Sequence, residues 1–254
     1  MSMPTVFVSH GAPTLILDDV PARAFLASLG QQLPKPKAII AVSAHWDTDL
    51  PAVSLARHPE TIHDFYGFPD ALYRLRYAAP GAPALAERVA KLTGAAHDQH
   101  RGLDHGAWVP AMLGWPDADI PIFQLSVQPD QSPAHHIALG RKLSSLREEG
   151  VLVMGSGSAT HNLRALVRGG GDSEPEPWAQ AFDDWLAETV ENGDEAALAD
   201  YRTRAPNARE AHPTDEHFLP IHVAYGAAGV GAHGRALHRS FSLGNLSMAS
   251  YAFE

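Results

Sequence analysis

The sequence predicts an α/β fold in which helices flank a central, mostly parallel or mixed sheet. Short apolar runs rich in valine and isoleucine alternate with longer segments of helical periodicity, which is typical of this class. The chain has 254 residues, 45% of them hydrophobic and 19% charged, which is enough to bury one substantial core. Because no repeat and no proline-rich linker interrupts it, we expect a single domain over residues 1–254.

Several apolar runs predict strands that are buried in the sheet. An unbroken apolar run fits a sheet that is covered by helices on both faces. The runs are Thr5–Ser9, Ala38–Ser43, Ile120–Val127 and Val151–Met154. The last segment, Ser240–Phe253, is expected to return to the sheet as one or two further strands.

Apolar residues at helical spacing predict helices between these strands. One begins at Asp18–Asp19 with Pro21 in its first turn, and Ala84–Thr93 forms another that stops at Gly94. A third opens at Ser132–Pro133 and ends at Gly150. A fourth, which follows a Gly169–Gly171 loop, is marked by Trp178, Phe182, Trp185 and Leu186.

Composition excludes several classes of function. With 19 Lys and Arg against 29 Asp and Glu the formal charge is −10, which argues against a nucleic-acid partner. There is no cysteine, which excludes disulfides, thiolate nucleophiles and cysteine-ligated zinc or iron–sulfur sites. No secretion signal and no long apolar run suggests a membrane span, so we expect a soluble, cytoplasmic protein.

The 15 histidines are the most informative residues, because several follow predicted strands. His10 comes directly after Thr5–Ser9, His45 follows Ala38–Ser43, and His161 follows the glycine-rich end of the fourth strand. The C-terminal ends of parallel strands meet at the edge of the sheet where ligands bind. Any one of these histidines is better explained by a structural hydrogen bond. Together they predict a metal or catalytic cluster at this edge.

A further candidate, His105, lies between Asp104 and Gly106. A turn here could hold His105 over a pocket, or His105 could cap the following helix, and the spacing leaves both open.

His217 is the last candidate. Thr214 is placed to cap a helix with an acidic first turn, which would put His217 one turn inside it, and Pro220 is expected to keep that helix short or displaced. His212 lies five residues before His217, so the two do not share a helix face and are not expected to bind one ion as a local pair.

The other histidines have plainer interpretations. Six are predicted to be solvated surface residues: His97, His100, His135, His136, His233 and His238. His58 and His63 flank a loop that leads to the aromatic segment Asp64–Pro69, which could roof a pocket or fill the core. The segment Gly155–Ser158 lacks the lysine of a phosphate loop and does not match a nucleophile elbow.

Six motifs taken together resemble a known family. They are Ser9-His10-Gly11-Ala12-Pro13, Ser43-Ala44-His45-Trp46, Asp64-Phe65-Tyr66-Gly67-Phe68-Pro69, Asp104-His105-Gly106-Ala107-Trp108, Gly155-Ser156-Gly157 with His161-Asn162-Leu163, and His212-Pro213-Thr214 with Glu216-His217-Phe218-Leu219-Pro220. In this order, over nearly the whole chain, they resemble the DOPA-dioxygenase-like branch of the class III (LigB-type) extradiol ring-cleavage dioxygenases.

The resemblance implies a non-haem Fe(II) enzyme that uses O2 to cleave a catechol, such as DOPA, beside its two hydroxyls. It implies one divalent metal ion, with His10, His45 and His217 as ligands and His161 as a candidate fourth. Fe(II) is expected for activity. Better-known class III relatives have a glutamate as the third ligand, whereas here the matching residue is His217 with Glu216 beside it. Because an all-histidine site also binds zinc, Zn(II) is an alternative bound ion.

The resemblance also implies that His161 and His105 form the acid–base pair. His161 would take the proton of the second catechol hydroxyl, and His105 would stabilise developing negative charge and return a proton. Aromatic residues near the motifs could form the walls of the pocket or belong to the core: Trp46, Phe65, Tyr66, Phe68 and Trp108.

Two other functions remain open on the sequence. A zinc-dependent hydrolase would use the same histidines with Glu216 or Asp104 as base. A binding protein that kept the fold and lost the chemistry would not need both His105 and His161. The oligomeric state, the particular catechol and the bond that is cleaved are not indicated by the sequence.

Overall fold

A mixed sheet of eight strands forms the centre of the molecule in the computed structural model, which describes residues 2–167 and 174–254. Its strands are β1 (Thr5–Ser9), β2 (Ala38–Asp47), β3 (Ala52–Ser54), β4 (Ala96–Asp98), β5 (Ile122–Val127), β6 (Val151–Gly157), β7 (Gly234–His238) and β10 (Ser250–Phe253). Between β7 and β10, β8 (Phe241–Ser242) and β9 (Leu246–Ser247) pair as a separate hairpin.

The strand order is β4-β3-β5-β2-β6-β1-β10-β7. The four central strands β5, β2, β6 and β1 are parallel. On one side β10 and β7 are antiparallel additions, and on the other β3 pairs antiparallel with β5. This arrangement confirms the expected mixed sheet, and it brings the C-terminal ends of β1, β2 and β6 to one edge.

Helices cover both faces of the sheet. They are α1 (Pro21–Gln32), α2 (Asp70–Tyr73), α3 (Pro83–Thr93), α4 (His105–Gly114), α5 (Pro133–Arg141), α6 (Pro177–Glu191), α7 (Glu195–Ala199), α8 (Tyr201–Arg204), α9 (Ala208–Ala211) and α10 (Leu219–Ala228). Alternate residues of β2 face opposite ways: Ile39 packs with α1 and α4, whereas Ile40 packs with α5 and α10. Every residue of β1, β5 and β6 is buried, as the unbroken apolar runs predicted.

Several predicted bounds are wrong. Strand β2 continues to Asp47, so His45 lies within the strand rather than after it. The helix predicted from Ser132 to Gly150 is divided, because α5 ends at Arg141 and a short 3-10 helix follows before Gly150 turns the chain with φ of 86°. Of the predicted returning segment, only Ser250–Phe253 joins the main sheet. The Gly169–Gly171 loop lies outside the described residues.

The helix near His217 also differs from the prediction. Helix α10 begins at Leu219, after His217, and Pro220 lies in its first turn instead of limiting it. A proline is tolerated in the first turn because a backbone N–H at that position would have no acceptor within the helix. His217 therefore lies in the turn before the helix, and Thr214 donates from its hydroxyl to Glu216 Oε1 over 3.0 Å rather than capping a helix.

Within residues 2–167 and 174–254, no helix has both the length and the apolar character that crossing a bilayer requires.

Candidate metal centre

Three histidines from distant parts of the chain meet at the edge of the sheet. The Nε2 atom of His45 lies 3.1 Å from Nε2 of His10 and 3.3 Å from Nε2 of His217. His10 is the residue after β1, His45 is near the end of β2, and His217 is in the turn before α10. His10 and His217 are buried, and the side chain of His45 is 24% exposed. The cluster is thus largely shielded from solvent but remains accessible at His45.

Parallel pairing with β6 explains how His10 and His45 come together, because β1 and β2 both lie beside it. The His217 turn sits directly on the end of β6. The backbone N–H of Ser158 donates to the carbonyl of His217 over 2.9 Å. A Cβ at Gly157 would lie 2.0 Å from that carbonyl oxygen, so a side chain at this position would push the turn away.

Hydrogen bonds at Nδ1 fix the tautomers of two of these histidines. The hydroxyl of Ser156 donates to the Gly106 carbonyl over 2.5 Å, so it accepts from Nδ1 of His10 at 3.0 Å. Nδ1 of His217 donates to Glu216 over 3.1 Å. In a neutral imidazole with a protonated Nδ1, Nε2 carries only a lone pair. His10 and His217 therefore both direct bare nitrogens towards Nε2 of His45.

The donor set fits a divalent metal ion. Burial and the neighbouring imidazoles of His105 and His217 lower the pKa of His45 to about 2, and burial lowers the pKa of His10 well below its ordinary value. Neutral imidazole is the form that binds metals. A proton on Nε2 of His45 can bond only one of these two lone pairs, whereas a cation bound by all three nitrogens satisfies both, so the geometry suits an ion with nitrogen ligands.

His105 lies against this group, held by Asp64. As the first residue of α4, it has its ring centroid 4.0 Å from that of His45 and 5.2 Å from that of His10. Asp64 accepts from the backbone N–H and from Nδ1 of His105, each over 2.9 Å. Burial by itself would raise the pKa of Asp64, but the hydrogen bonds from His105 lower it to about 2.

His161 lies on the other side of the group, stacked on His217. The two ring centroids are 3.5 Å apart and the ring planes differ by 10°. The backbone N–H of His161 donates to the Ala211 carbonyl over 2.8 Å, which holds this loop beside the His217 turn. Burial lowers the pKa of His161 to about 3, so the imidazole is neutral near pH 7.

The family described as the catalytic LigB subunit of aromatic ring-opening dioxygenase matches residues 4–254. The chain belongs to this LigB family. A 4,5-DOPA dioxygenase extradiol of Beta vulgaris is 46% identical over 98% of this chain and 96% of that protein. One of the same name from Portulaca grandiflora is 41% identical over 97% and 94% of the two chains. The crystal structure of an uncharacterized Escherichia coli K12 protein has a TM-score of 0.82, with 34% identity over 98% of this chain and 99% of that one. These similarities confirm the expected activity class, an extradiol ring-opening dioxygenase.

In this LigB-family chain all five predicted site histidines lie in one cluster: His10, His45, His105, His161 and His217. Their individual roles remain proposals. His212 does not join them. It is buried against Phe182 and Phe218, and its Nε2 lies 2.9 Å from the Ala159 carbonyl, so its role is structural.

Among the six histidines predicted to be on the surface, His97, His100 and His233 are exposed, whereas His135 and His238 are partly buried. The prediction is wrong for His136, which is fully buried. Its Nδ1 donates to the Ser132 carbonyl over 2.9 Å and its Nε2 accepts from the backbone N–H of Gln128 over 3.1 Å. The sequence gave no signal of this burial, because it depends on the packing of α5 against other elements, chiefly α10.

The candidate wall residues divide into different environments. The half-buried ring of Phe65 meets His105 edge-on at 5.9 Å, and Phe68 meets Phe65 at 5.4 Å. Trp108 is fully buried in the core, and Tyr66 is 92% exposed. Trp46 is buried beneath the Arg101 guanidinium, 5.2 Å from its ring.

Sequence reasoning did not assign a site role to Ser156 or Asp64. Ser156 fixes the tautomer of His10, and Asp64 holds His105. Both lie inside motifs that carry the family resemblance, which was the only available signal.

Proposed function

We propose that the chain uses Fe(II) and O2 to open the ring of a catechol such as DOPA, with His10, His45 and His217 as the metal ligands. The observation that carries the proposal is the convergence of three Nε2 atoms, with separations of 3.1 and 3.3 Å along the set. When bound in a facial three-ligand site, Fe(II) supplies positions for both reactants and a path for electrons between them.

His217 is a better third ligand than His105. A nitrogen of His105 also lies within 4.8 Å of donor atoms of His10 and His45, so proximity alone does not separate the two. A carboxylate holds Nδ1 of both candidates, Asp64 for His105 and Glu216 for His217, so what favours His217 is the 3.3 Å approach of its Nε2 to Nε2 of His45. We therefore expect His217→Ala to lose the metal and His105→Ala to retain it.

We assign His161 as the base rather than as a fourth ligand. Its ring is parallel to that of His217 at 3.5 Å, so its nitrogens lie well outside the plane in which the His217 lone pair points. A neutral imidazole at this position can accept the proton of the second catechol hydroxyl. His105, on the opposite side of the group, would donate to developing negative charge on the reacting oxygens.

The two carboxylates named for the hydrolase alternative are both engaged in hydrogen bonds. Glu216 accepts from Nδ1 of His217 and from the Thr214 hydroxyl. Asp104 is fully buried and accepts hydrogen bonds from four donors: Ser43, Ala107, Arg101 and Gln124. Asp104 is therefore saturated, and Glu216 keeps only Oε2 for a water molecule while its Oε1 orients His217, which favours the dioxygenase.

The decisive experiment is anaerobic reconstitution with Fe(II), followed by oxygen consumption over substituted catechols including DOPA and protocatechuate. We expect stoichiometric O2 uptake and a ring-opened product with Fe(II). Hydrolysis of an ester or amide panel by the Zn(II) form, without catechol turnover by the Fe(II) form, would overturn the proposal.

Substitutions test the roles separately. His45→Ala should lose bound metal by elemental analysis, whereas His161→Ala should keep it and fail to form the ring-opened product. The exposed His97→Ala serves as control and should retain both. Full metal occupancy in His45→Ala, or unchanged turnover in His161→Ala, would contradict the assignments.

A further inference from the structure

We propose that Asp64 is a positioning residue that fixes the orientation and the tautomer of His105. The two oxygens of this carboxylate are committed to a single residue. Oδ1 accepts from the backbone N–H of His105 and Oδ2 accepts from its ring Nδ1, each over 2.9 Å. Hydrogen bonds to both the backbone and the ring of His105 restrict its side-chain torsions more than a single hydrogen bond would.

The carboxylate also decides which ring nitrogen is protonated. An ionised carboxylate can only accept hydrogen bonds, so Nδ1 of His105 must carry a proton. That leaves Nε2 as the nitrogen that gains or loses a proton, and Nε2 makes no hydrogen bond with any residue in the described part of the chain. This logic is the same as that of the aspartate in a catalytic triad.

Asp64 acts chiefly on His105 rather than on the metal ligands. Its Oδ2 lies 3.6 Å from Nδ1 of His45, which is beyond hydrogen-bond distance, against 2.9 Å from Nδ1 of His105. Its side chain is 21% exposed, so the contact with His105 is only partly screened by water.

The position of Asp64 links the aromatic segment 64–69 to the site. The next residue, Phe65, meets the ring of His105 edge-on at 5.9 Å and also packs on Tyr73 of α2. The edge of the sheet positions His10 and His45, whereas segment 64–69 holds His105 through Asp64. Its contribution to the site is therefore the alignment of an acid–base group.

The kinetic consequence rests on the proposed function, and the structural consequence does not. Asp64→Asn keeps the shape and the acceptor for the backbone N–H, but its amide N–H₂ faces Nδ1 of His105. Two donors cannot bond, so His105 must rotate or move its proton to Nε2. We expect kcat with a catechol to fall by about 10²-fold or more, with KM and bound metal little changed.

Two further variants separate positioning from folding. Asp64→Glu retains the charge and should recover part of the kcat that Asp64→Asn loses. Asp70→Asn removes an exposed carboxylate from the first turn of α2 and should behave as the wild type.

The tautomer itself is measured by nitrogen-15 NMR of His105 in the Zn(II)-loaded protein, which needs no turnover. We expect a protonated Nδ1 in the wild type and in Asp70→Asn, and a changed tautomer in Asp64→Asn. A protonated Nε2 in the wild type would overturn the proposal, even if no catechol is turned over. So would wild-type kcat in Asp64→Asn, or a loss of activity that added metal fully restores.

Discussion

Replacing Asp104 by asparagine should destabilise the protein strongly, because its carboxylate satisfies four donors at once. The side chain is fully buried. Oδ1 accepts from the Ser43 hydroxyl over 2.6 Å and from the backbone N–H of Ala107 over 3.2 Å. Oδ2 accepts from Arg101 over 2.6 Å and from the Gln124 amide over 2.7 Å.

The magnitude follows from counting acceptors. Asparagine has one acceptor oxygen and one N–H₂ group. In either rotamer the N–H₂ group faces two of the four donors, which then lose their acceptor. Arg101, whose side chain is 20% exposed, also loses its counter-charge. Breaking a buried ion pair from one side costs about 3–5 kcal/mol of unfolding free energy. We take this range for Asp104→Asn, because the new clash of donors adds to the loss of charge.

The assay is urea unfolding of chelator-treated protein, so that metal binding does not contribute to the stability. The matched control is Asp119→Asn, which removes a 49%-exposed carboxylate from its ion pair with Lys35. Exposed pairs contribute up to about 1 kcal/mol. If Asp104→Asn cost no more than this control, the reasoning that a saturated buried carboxylate anchors the start of α4 would be refuted.

Two other predictions concern pH and packing. Burial lowers the pKa of His136 to about 3, so unfolding of the protein takes up a proton at this residue below about pH 6.5. The stabilisation that neutral His136 contributes is complete above that pH and is lost as the pH falls. Between pH 7.5 and 5 this loss lowers the free energy of unfolding by about 2 kcal/mol. Urea titrations should show the loss in the exposed-site control His97→Gln but not in His136→Gln, and equal pH dependence in both variants would contradict the prediction. In Gly106→Ala the new Cβ would collide with Oγ of Ser43 and would lie 3.1 Å from Cδ2 in the ring of His45. It should displace that ring, lower metal content and cost about 1–3 kcal/mol in thermal unfolding; full metal occupancy at wild-type stability would show that the site tolerates the methyl group.

Helices with a one-sided burial pattern could be predicted, and those without one could not. Helix α1 buries Phe25, Leu26 and Leu29 on one face, and this stripe is visible in the sequence. Helix α10 is buried at all ten positions, so it has no stripe, and α4 is similar. Strands β3 and β4 have three residues each, too few to show an alternation.

The sequence predicted which residues form the candidate site but not which hydrogen bonds and ring contacts they make. His10 follows an apolar strand, and the parallel order of β1 and β2 beside β6 brings it to His45, as strand-end chemistry suggests. Nothing in the order of residues indicates that His161 stacks on His217, or that His136 is buried.

The sequence by itself determined the α/β class, the buried strands and the set of histidines, because each of these depends on local periodicity or on motifs within a few residues. Only the tertiary structure decided which nitrogen of His10 and of His217 is bare, and which carboxylate holds His105. Those features arise from Ser156, Glu216 and Asp64. A proton's position depends on contacts of about 3 Å, and folding alone brings such partners together across long stretches of chain.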